Sequence, residues 1–377
     1  MKYHMPTAVI FGPGVIFELG GIVRDKLRSS RPLLVTDKGI IAAGIAKGVL
    51  SQLPAMPTFD DVEPNPKHGT VDRGGEVARH IKPDLVIGLG GGSVLDAAKA
   101  IALLATNPGG IEDYEGREKY RAAPLPVLAI PTTCGTGSEV TWVSIITHTG
   151  RQTKMSIKGP LMYPAAAVVD PDLLVTLPRP LIASTGLDAL THAIEAFTVK
   201  AASAITDALA LDALRLIFYS LPLAYQDIKK NAEARVNLML GSLMAGMAFV
   251  NSDVGAVHCL AESVGSLYDT PHGVANAVFL PQVMEFNLDA AEAKYARIAR
   301  VAGIEAGGRR EAALRLVARI REISRDLSIP LFRELDIPEG DFPVIAQKSF
   351  GNNSNRSNPR EATAADYLDI LCRASQI

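Results

Sequence analysis

The chain has 377 residues, nearly half of them apolar and about a fifth charged, with a formal net charge of -2. That length exceeds one comfortable hydrophobic core and predicts two domains. The composition excludes a disordered chain, the charge provides no basic face for nucleic acid, and no apolar run reads as long enough to cross a bilayer. Three cysteines, Cys134, Cys259 and Cys372, make no disulfide framework, and the opening MKYHMPTAVIFGPG lacks the apolar segment of a signal peptide. A cytoplasmic protein is therefore expected.

In chain order, AVIFGPG at 8–14 reads as a hairpin or an edge strand. The short apolar runs PLLVTD (32–37), DLVIGLG (84–90) and PLPVLAIP (124–131) read as buried strands, and 39–53, 68–81 and 93–104 carry helical spacing between them. Strand–helix alternation at this interval predicts a Rossmann-like, mostly parallel sheet. Val140–Thr147 and Ala165–Val169 read as further strands. From Pro180 onward β-like runs almost vanish. DALTHAIEAFTVK, ITDALALDALRLIFYSL, AEARVNLMLGSLMAGMAF and RREAALRLVARIREISRDL repeat apolar residues at i, i+3, i+4 and i+7, as core-facing helices do. The prediction is an α/β domain over 1–179 followed by an all-helical domain over 180–377, with GNNSNRSNPR (351–360) as a polar loop.

Three features of the first half are candidates for contact with a nucleotide. Gly88, Gly90, Gly91 and Gly92 separate a strand from a helix whose N-cap is assigned to Ser93. Glycine lets a backbone approach a ligand, and the helix start offers free N–H groups to a pyrophosphate; a plain tight turn is the alternative. PTTCGTGSEVT (131–141) offers Thr132, Thr133, Thr136, Ser138 and Thr141 on a second loop, which would share the carboxyl edge of a parallel sheet with the first. Asp37 ends a strand, where a carboxylate accepts from a ribose diol and repels a 2′-phosphate, favouring NAD over NADP; it would equally cap the next helix.

The second half collects costly polar groups in apolar segments. Asp188 and His192 are four apart and share one helix face; His258 and His272 follow downstream. One such residue alone is better read as a satisfied core group. Four together are better read as a site for Fe(II), Zn(II) or a similar ion, because a core gains nothing by collecting them, and the ligand types suit either metal. Glu262 lies one turn after His258; Cys259 points elsewhere on the helix and is not counted as a ligand.

FGPG, VTDKG, GGGSVLDAAKA, PTTCGTGSEVT, LDALTHAIEAF, the segment from His258 to YDTPHGVANA and the late NPR together resemble the iron-containing (group III) alcohol dehydrogenase family, over nearly the whole chain. The resemblance implies a dehydroquinate-synthase-like architecture, with the metal in a cleft between the domains and on Asp188, His192, His258 and His272. It implies cofactor contacts at Asp37, Asn65, Gly91, Gly92, Ser93, Thr132, Thr133, Thr136, Thr141 and Lys154, to which the loop chemistry adds Gly90 and Ser138. It also implies hydride transfer between a small alcohol and NAD, and at least a homodimer. His272 and Glu262 are the residues assigned to catalysis. Many members carry a second histidine where this chain has Glu262, so the proton path and the substrate stay open. A zinc polyol dehydrogenase and an NAD-dependent dehydroquinate-synthase-like lyase are the rival readings, and an exposed loop arginine, Arg356, is weighed as a contact for a polar substrate tail.

Overall fold

The computed structural model describes residues 3–376, and the chain divides into two compact units. One comprises Met5–Thr133 and Gly137–Leu177; the other takes the chain from Pro178 onward together with Cys134–Thr136.

The first unit runs β1 (Ala8–Phe11), the single turn α1 (Leu19–Gly21), β2 (Pro32–Val35), α2 (Lys38–Ala42), α3 (Ile45–Gln52), β3 (Thr58–Phe59), α4 (His68–Ile81), β4 (Leu85–Gly90), α5 (Gly92–Leu104), β5 (Gly116–Arg117), β6 (Val127–Pro131), β7 (Val143–His148), β8 (Thr153–Lys158) and β9 (Ala166–Val169). Among the described residues, six strands form one sheet in the order β1-β9-β6-β4-β2-β3, and every pairing in it is parallel. All residues of β4 and β6 are buried, because helices cover both faces of such a sheet. The period of two assigns their side chains to opposite faces. Val86 and Val127 join a cluster with Val71, Ile101 and Leu104, while Ile87, Leu89, Leu128 and Ile130 join another with Leu19, Val49 and Leu53.

Several local expectations change. Of the two readings of AVIFGPG, the edge strand holds and the hairpin does not: β1 is an edge strand parallel to β9. The helix expected over 39–53 breaks into α2 and α3 at Gly44, whose φ of 78° ends one and admits the other. The strand expected over 140–147 begins at Val143, after a 3-10 turn at Ser138–Val140, and pairs antiparallel with β8 in a second sheet. β8, TKMSIK, escaped the sequence reading because its two faces alternate polar and apolar without a long hydrophobic run.

The second unit is helical: α6 (Arg179–Thr198), α7 (Ala204–Asp227), α8 (Ala232–Ser252), α9 (Ala256–Tyr268), α10 (His272–Phe286), α11 (Leu288–Val301), α12 (Arg309–Asp326), α13 (Phe342–Phe350) and α14 (Ala364–Ser375). α6 packs against α7, α8, α10 and α11 and is buried nearly all round from Ile182 onward. A helix without a solvent face must satisfy its own polar residues inside the protein. Asp188, Thr191, His192, Glu195 and Thr198 all lie on it, which is why the site forms there.

One expectation about composition is corrected. By length and composition α7 is capable of crossing a bilayer, with a mean hydropathy of 1.3 over an 18-residue window. Its apolar side, including Leu214, Ile217 and Leu221, is packed against α6 and α8, as in the core helix of a bundle. The loop expected over 351–360 contains a 3-10 turn, Asn353–Ser357.

Candidate metal centre and cofactor loops

α6 places Asp188 and His192 one turn apart on one face, α9 supplies His258 near its start, and α10 begins with His272. Each residue offers one ligand atom, and the four atoms lie within 4.8 Å of one another. Asp188, His192 and His258 are buried, while His272 is half-buried and so gives the cluster an approachable side.

Hydrogen bonds to the far ring nitrogens settle which nitrogen each buried histidine presents. His192 Nδ1 donates to the Gly135 carbonyl at 3.2 Å, and His258 Nδ1 donates to Glu195 Oε2 at 2.6 Å. Each Nε2 then keeps its lone pair for the centre, the usual arrangement behind a metal-bound imidazole. The Asn276 amide reaches into the middle: its Nδ2 donates to Asp188 Oδ1 at 2.6 Å and lies 3.2 Å from His258 Nε2 and 3.1 Å from His272 Nε2. Its Oδ1 is buried with no hydrogen-bond partner. Lone pairs converging from three imidazoles and a carboxylate, with one amide NH2 group set against the carboxylate and two of the rings, fit a divalent cation of the Fe(II) or Zn(II) kind.

The electrostatics agree. Burial lowers the His192 pKa to about 4 against the pull of Asp188, so the ring is neutral at physiological pH and free to ligate. Burial alone would raise the Asp188 carboxyl, but the three histidines around it hold it below its ordinary value. His258 is pushed down by burial and pulled up further by Glu195, with a net rise, so its surroundings favour a positive charge at the ring.

Gly273 makes the approach of α10 to α6 possible. A Cβ there would lie 2.4 Å from the Ser184 carbonyl oxygen, a backbone atom that cannot swing away. α8 and α9 meet at a bend of 100°. Asp253 occupies it with φ 116°, a conformation rare for a side-chain-bearing residue. The Ser354 and Ser357 hydroxyls hold its carboxylate at 3.0 and 2.5 Å.

Glu262 is not among the four clustered ligands. It is half-buried and accepts from Asn352 Nδ2 at 2.6 Å, which ties it to the polar loop. Arg356 is exposed on that loop's 3-10 turn. Arg360 is structural: it donates to the Phe286 carbonyl, stacks 3.9 Å from the Phe286 ring centre and pairs with Asp366 at 3.5 Å.

In the α/β unit the proposed cofactor residues gather in two places. β2, β4 and β6 are parallel neighbours, so Asp37, the Gly90–Gly92 turn and Thr132–Thr133 lie at one carboxyl edge. Thr132 N donates to the Gly90 carbonyl at 3.0 Å, and a Cβ on Gly91 would meet Thr133 Cγ2 at 3.1 Å, so the two loops lie against each other. Ser93 is not the N-cap; α5 starts at Gly92, with Gly91 extended before it. Asp37 does cap α2, accepting from Ile40 N at 2.9 Å. The second place joins Asn65 and Lys154, whose Nζ donates to Asn65 Oδ1 at 2.9 Å across 89 residues of sequence. Thr136 groups with the helical unit. Ser138 and Thr141 face inward: Ser138 Oγ donates to Asp96 Oδ1 at 2.6 Å, and the buried Lys99 reaches the Ser138 carbonyl at 3.2 Å and Thr141 Oγ1 at 3.3 Å. Lys99 thereby braces the loop, a role that its apolar surroundings in DAAKAIALLA conceal.

Glu139, beside that brace, is buried, and burial pushes its carboxyl up to about 7. A carboxyl whose pKa is raised on folding loses stability as pH climbs from its unfolded value, about 4.5, through 7. Glu139→Gln is therefore expected to be the more stable protein at pH 8, by on the order of 3 kcal/mol, with little difference near pH 4.5. Urea unfolding at the two pH values measures it; an equal shift at both would contradict the assignment.

The sequence reading missed Glu195, Asn276, Gly135, Lys99 and Asn352. Glu195 and Asn276 had a visible signal: Asp188, His192 and Glu195 fall at i, i+4 and i+7, and Asn276 is four after His272. Gly135 acts through its carbonyl, which no residue type announces.

A parallel α/β unit with apposed loops at its carboxyl edge and a helical unit around a three-histidine, one-carboxylate cluster define a dehydroquinate-synthase-like dehydrogenase architecture. Two family models match: iron-containing alcohol dehydrogenase over residues 6–171, and the C-terminal part of the Fe-containing alcohol dehydrogenase family over 182–375. The 1,3-propanediol dehydrogenase of Citrobacter freundii is 39% identical over 99% of this chain and 98% of its own length. The NAD-dependent methanol dehydrogenase of Bacillus methanolicus is 35% identical over 99% of each. A crystal structure of a 1,3-propanediol oxidoreductase superposes with a TM-score of 0.95 at 39% identity, over 99% of both chains. The chain belongs to the iron-containing alcohol dehydrogenase family and is an oxidoreductase acting on alcohols.

Proposed function

We propose that the protein interconverts short primary alcohols or diols and their aldehydes with NAD as cofactor, at a metal centre held by Asp188, His192, His258 and His272. The single observation that carries this is the convergence of those four ligand atoms within 4.8 Å. Iron is the proposed ion, on the family's description; the donor set also accepts zinc. Bound there, a divalent ion supplies the Lewis acidity that acidifies an alcohol hydroxyl or polarises a carbonyl. Nicotinamide supplies the redox chemistry. What this chain's own residues do is bind and orient. Gly90, Gly91, Gly92, Ser93, Thr132 and Thr133 offer backbone N–H and hydroxyl groups to the cofactor phosphates and ribose, and Asn65 and Lys154 add a paired amide and cation. Thr136, Ser138 and Thr141 belong to the same loop, the last two as its inward braces. Glu262, held by Asn352, takes the family histidine's place as the group that receives a proton or binds a substrate hydroxyl. We further place the enzyme in the cytoplasm, consistent with three free cysteines, and assemble it as a homo-oligomer through the open edge of β1.

A substrate screen tests the reading: short primary alcohols, 1,2- and 1,3-diols, glycerol and 2-hydroxy acids, each with NAD and NADP. Short alcohols or diols with NAD are expected to give the highest kcat/KM; a preference for glycerol would favour the polyol reading, and no alcohol-dependent NADH at all would overturn the proposal. Asp37→Asn keeps the helix cap, since asparagine caps as well as aspartate, but removes the charge facing a 2′-phosphate. The NADP-to-NAD ratio of kcat/KM is expected to rise by about tenfold or more. An unchanged ratio would remove Asp37 from the cofactor site.

A further inference from the structure

Glu195 is on α6, seven residues after Asp188 and three after His192, and only 4% of its surface is exposed. A carboxylate so deep needs several donors, and it has three. Oε2 accepts from His258 Nδ1 at 2.6 Å and from Gly255 N at 2.9 Å, and Oε1 accepts from Val257 N at 2.8 Å. Gly255 is the N-cap of α9 and Val257 stands in its first turn, where the N–H groups carry partial positive charge and want an anion. Asn358 completes the cap: its Oδ1 accepts from Ala256 N at 3.2 Å, and its amide is paired with Asn287. The NPR segment thus caps, through Asn358, the same helix start as Glu195, and the hydrogen bonds of the Asn358 side chain go to Ala256, Asn287 and Arg360. There is no spare room: a Cβ on Gly255 would lie 3.0 Å from Glu195 Oε1 and 2.9 Å from Asn358 Oδ1.

We propose that Glu195 is a positioning residue of the metal centre: one carboxylate holds the His258 ring by its Nδ1–H and anchors the helix start on which His258 stands, so that Nε2 is presented to the ion. This rests on the metal reading of the cluster. The carboxylate fixes the tautomer and the ring rotation, and it fixes the backbone that carries the ring. Its negative charge also makes the imidazole a better donor toward a cation, as carboxylates behind metal-bound histidines do. Glutamine is not an adequate substitute. It has one acceptor oxygen and an NH2 group, so at least one of three converging N–H donors would face another donor.

The test compares Glu195→Gln with Asn358→Ala, which removes a cap from the same helix start and leaves the His258 contact intact. The readouts are the apparent metal dissociation constant, by competition with a chelator under anaerobic conditions, and the visible d–d spectrum of the Co(II)-loaded protein. Both variants are expected to lower Tm. Only Glu195→Gln is expected to weaken metal binding, by about 10- to 100-fold, and to shift the Co(II) bands. Glu195→Asp, which keeps the charge on a shorter arm, is expected to fall between. The proposal is overturned if Glu195→Gln moves affinity and spectrum no further than Asn358→Ala does. If the wild type itself binds no metal, it is the reading of the cluster that fails instead. Should Glu195→Gln not fold, the wild type decides alone: histidine 15N–1H correlation of the metal-free protein must show His258 carrying its proton on Nδ1 with a strongly downfield resonance, and an Nε2–H tautomer would contradict the proposal.

Discussion

Asp188→Asn is expected to bind Fe(II) or Zn(II) more than about 100-fold more weakly than the wild type and to lose alcohol oxidation with the metal, because it removes a donor where changes merely behind a donor already cost 10- to 100-fold. Asp188 is the one anionic ligand of the set, and three imidazoles surround it. Burying a divalent cation among neutral rings without a counter-charge costs far more than burying it beside a carboxylate. The amide also meets the wrong neighbour: Asn276 Nδ2 now donates to Asp188 Oδ1 at 2.6 Å, and two amides there would compete over which oxygen faces which hydrogen. The fold should survive, since the substitution is isosteric and α6 is held by apolar contacts along its length. Metal content after dialysis and circular dichroism check both halves of the expectation. A folded Asp188→Asn protein that retains the wild-type metal affinity would show that the ligand set is misassigned.

Gly273→Ala, a single methyl, is expected to lower kcat/KM by about 100-fold. The added carbon would sit 2.4 Å from the Ser184 carbonyl oxygen and 2.8 Å from the Ser184 carbonyl carbon, in a helix start pressed against α6. Backbone atoms cannot rotate away, so α10 must retreat from α6 and carry His272, its first residue, with it. A displacement on the order of 1 Å at a reacting centre costs about 100-fold. The contrast is Gly340→Ala, whose Cβ would meet nothing within 4 Å and which should leave kinetics alone. Wild-type kcat/KM and metal affinity in Gly273→Ala would mean that the α6–α10 contact does not set the position of His272.

What was legible in the sequence follows from what each element needed. β4 and β6 were legible because burial on both faces demands uninterrupted apolar runs, whereas β3 and β5, two residues each, have no pattern to read. The helical half was legible in period, and the cluster of Asp188, His192, His258 and His272 in residue type, since aspartate and histidine in apolar helices need a reason to be there. Loop geometry was less so. Ser93 looked like a cap, but the helix starts one residue earlier, at Gly92, where the extended Gly91 lets the turn close against Thr133. Glu195 was visible in spacing, on the same helix stripe as Asp188 and His192, but its role was not, since only the fold shows its carboxylate on the far side of the His258 ring.

The most direct measurement strips the protein of metal anaerobically and follows alcohol-dependent NADH formation before and after adding back Fe(II). The rate is expected to fall to background in the stripped protein, to return as Fe(II) fills the four-residue site, and to stay at background when His272→Ala is given the same ion. Alcohol oxidation at the full rate in metal-free protein would contradict the assignment of Asp188, His192, His258 and His272 as the centre on which this dehydrogenase depends.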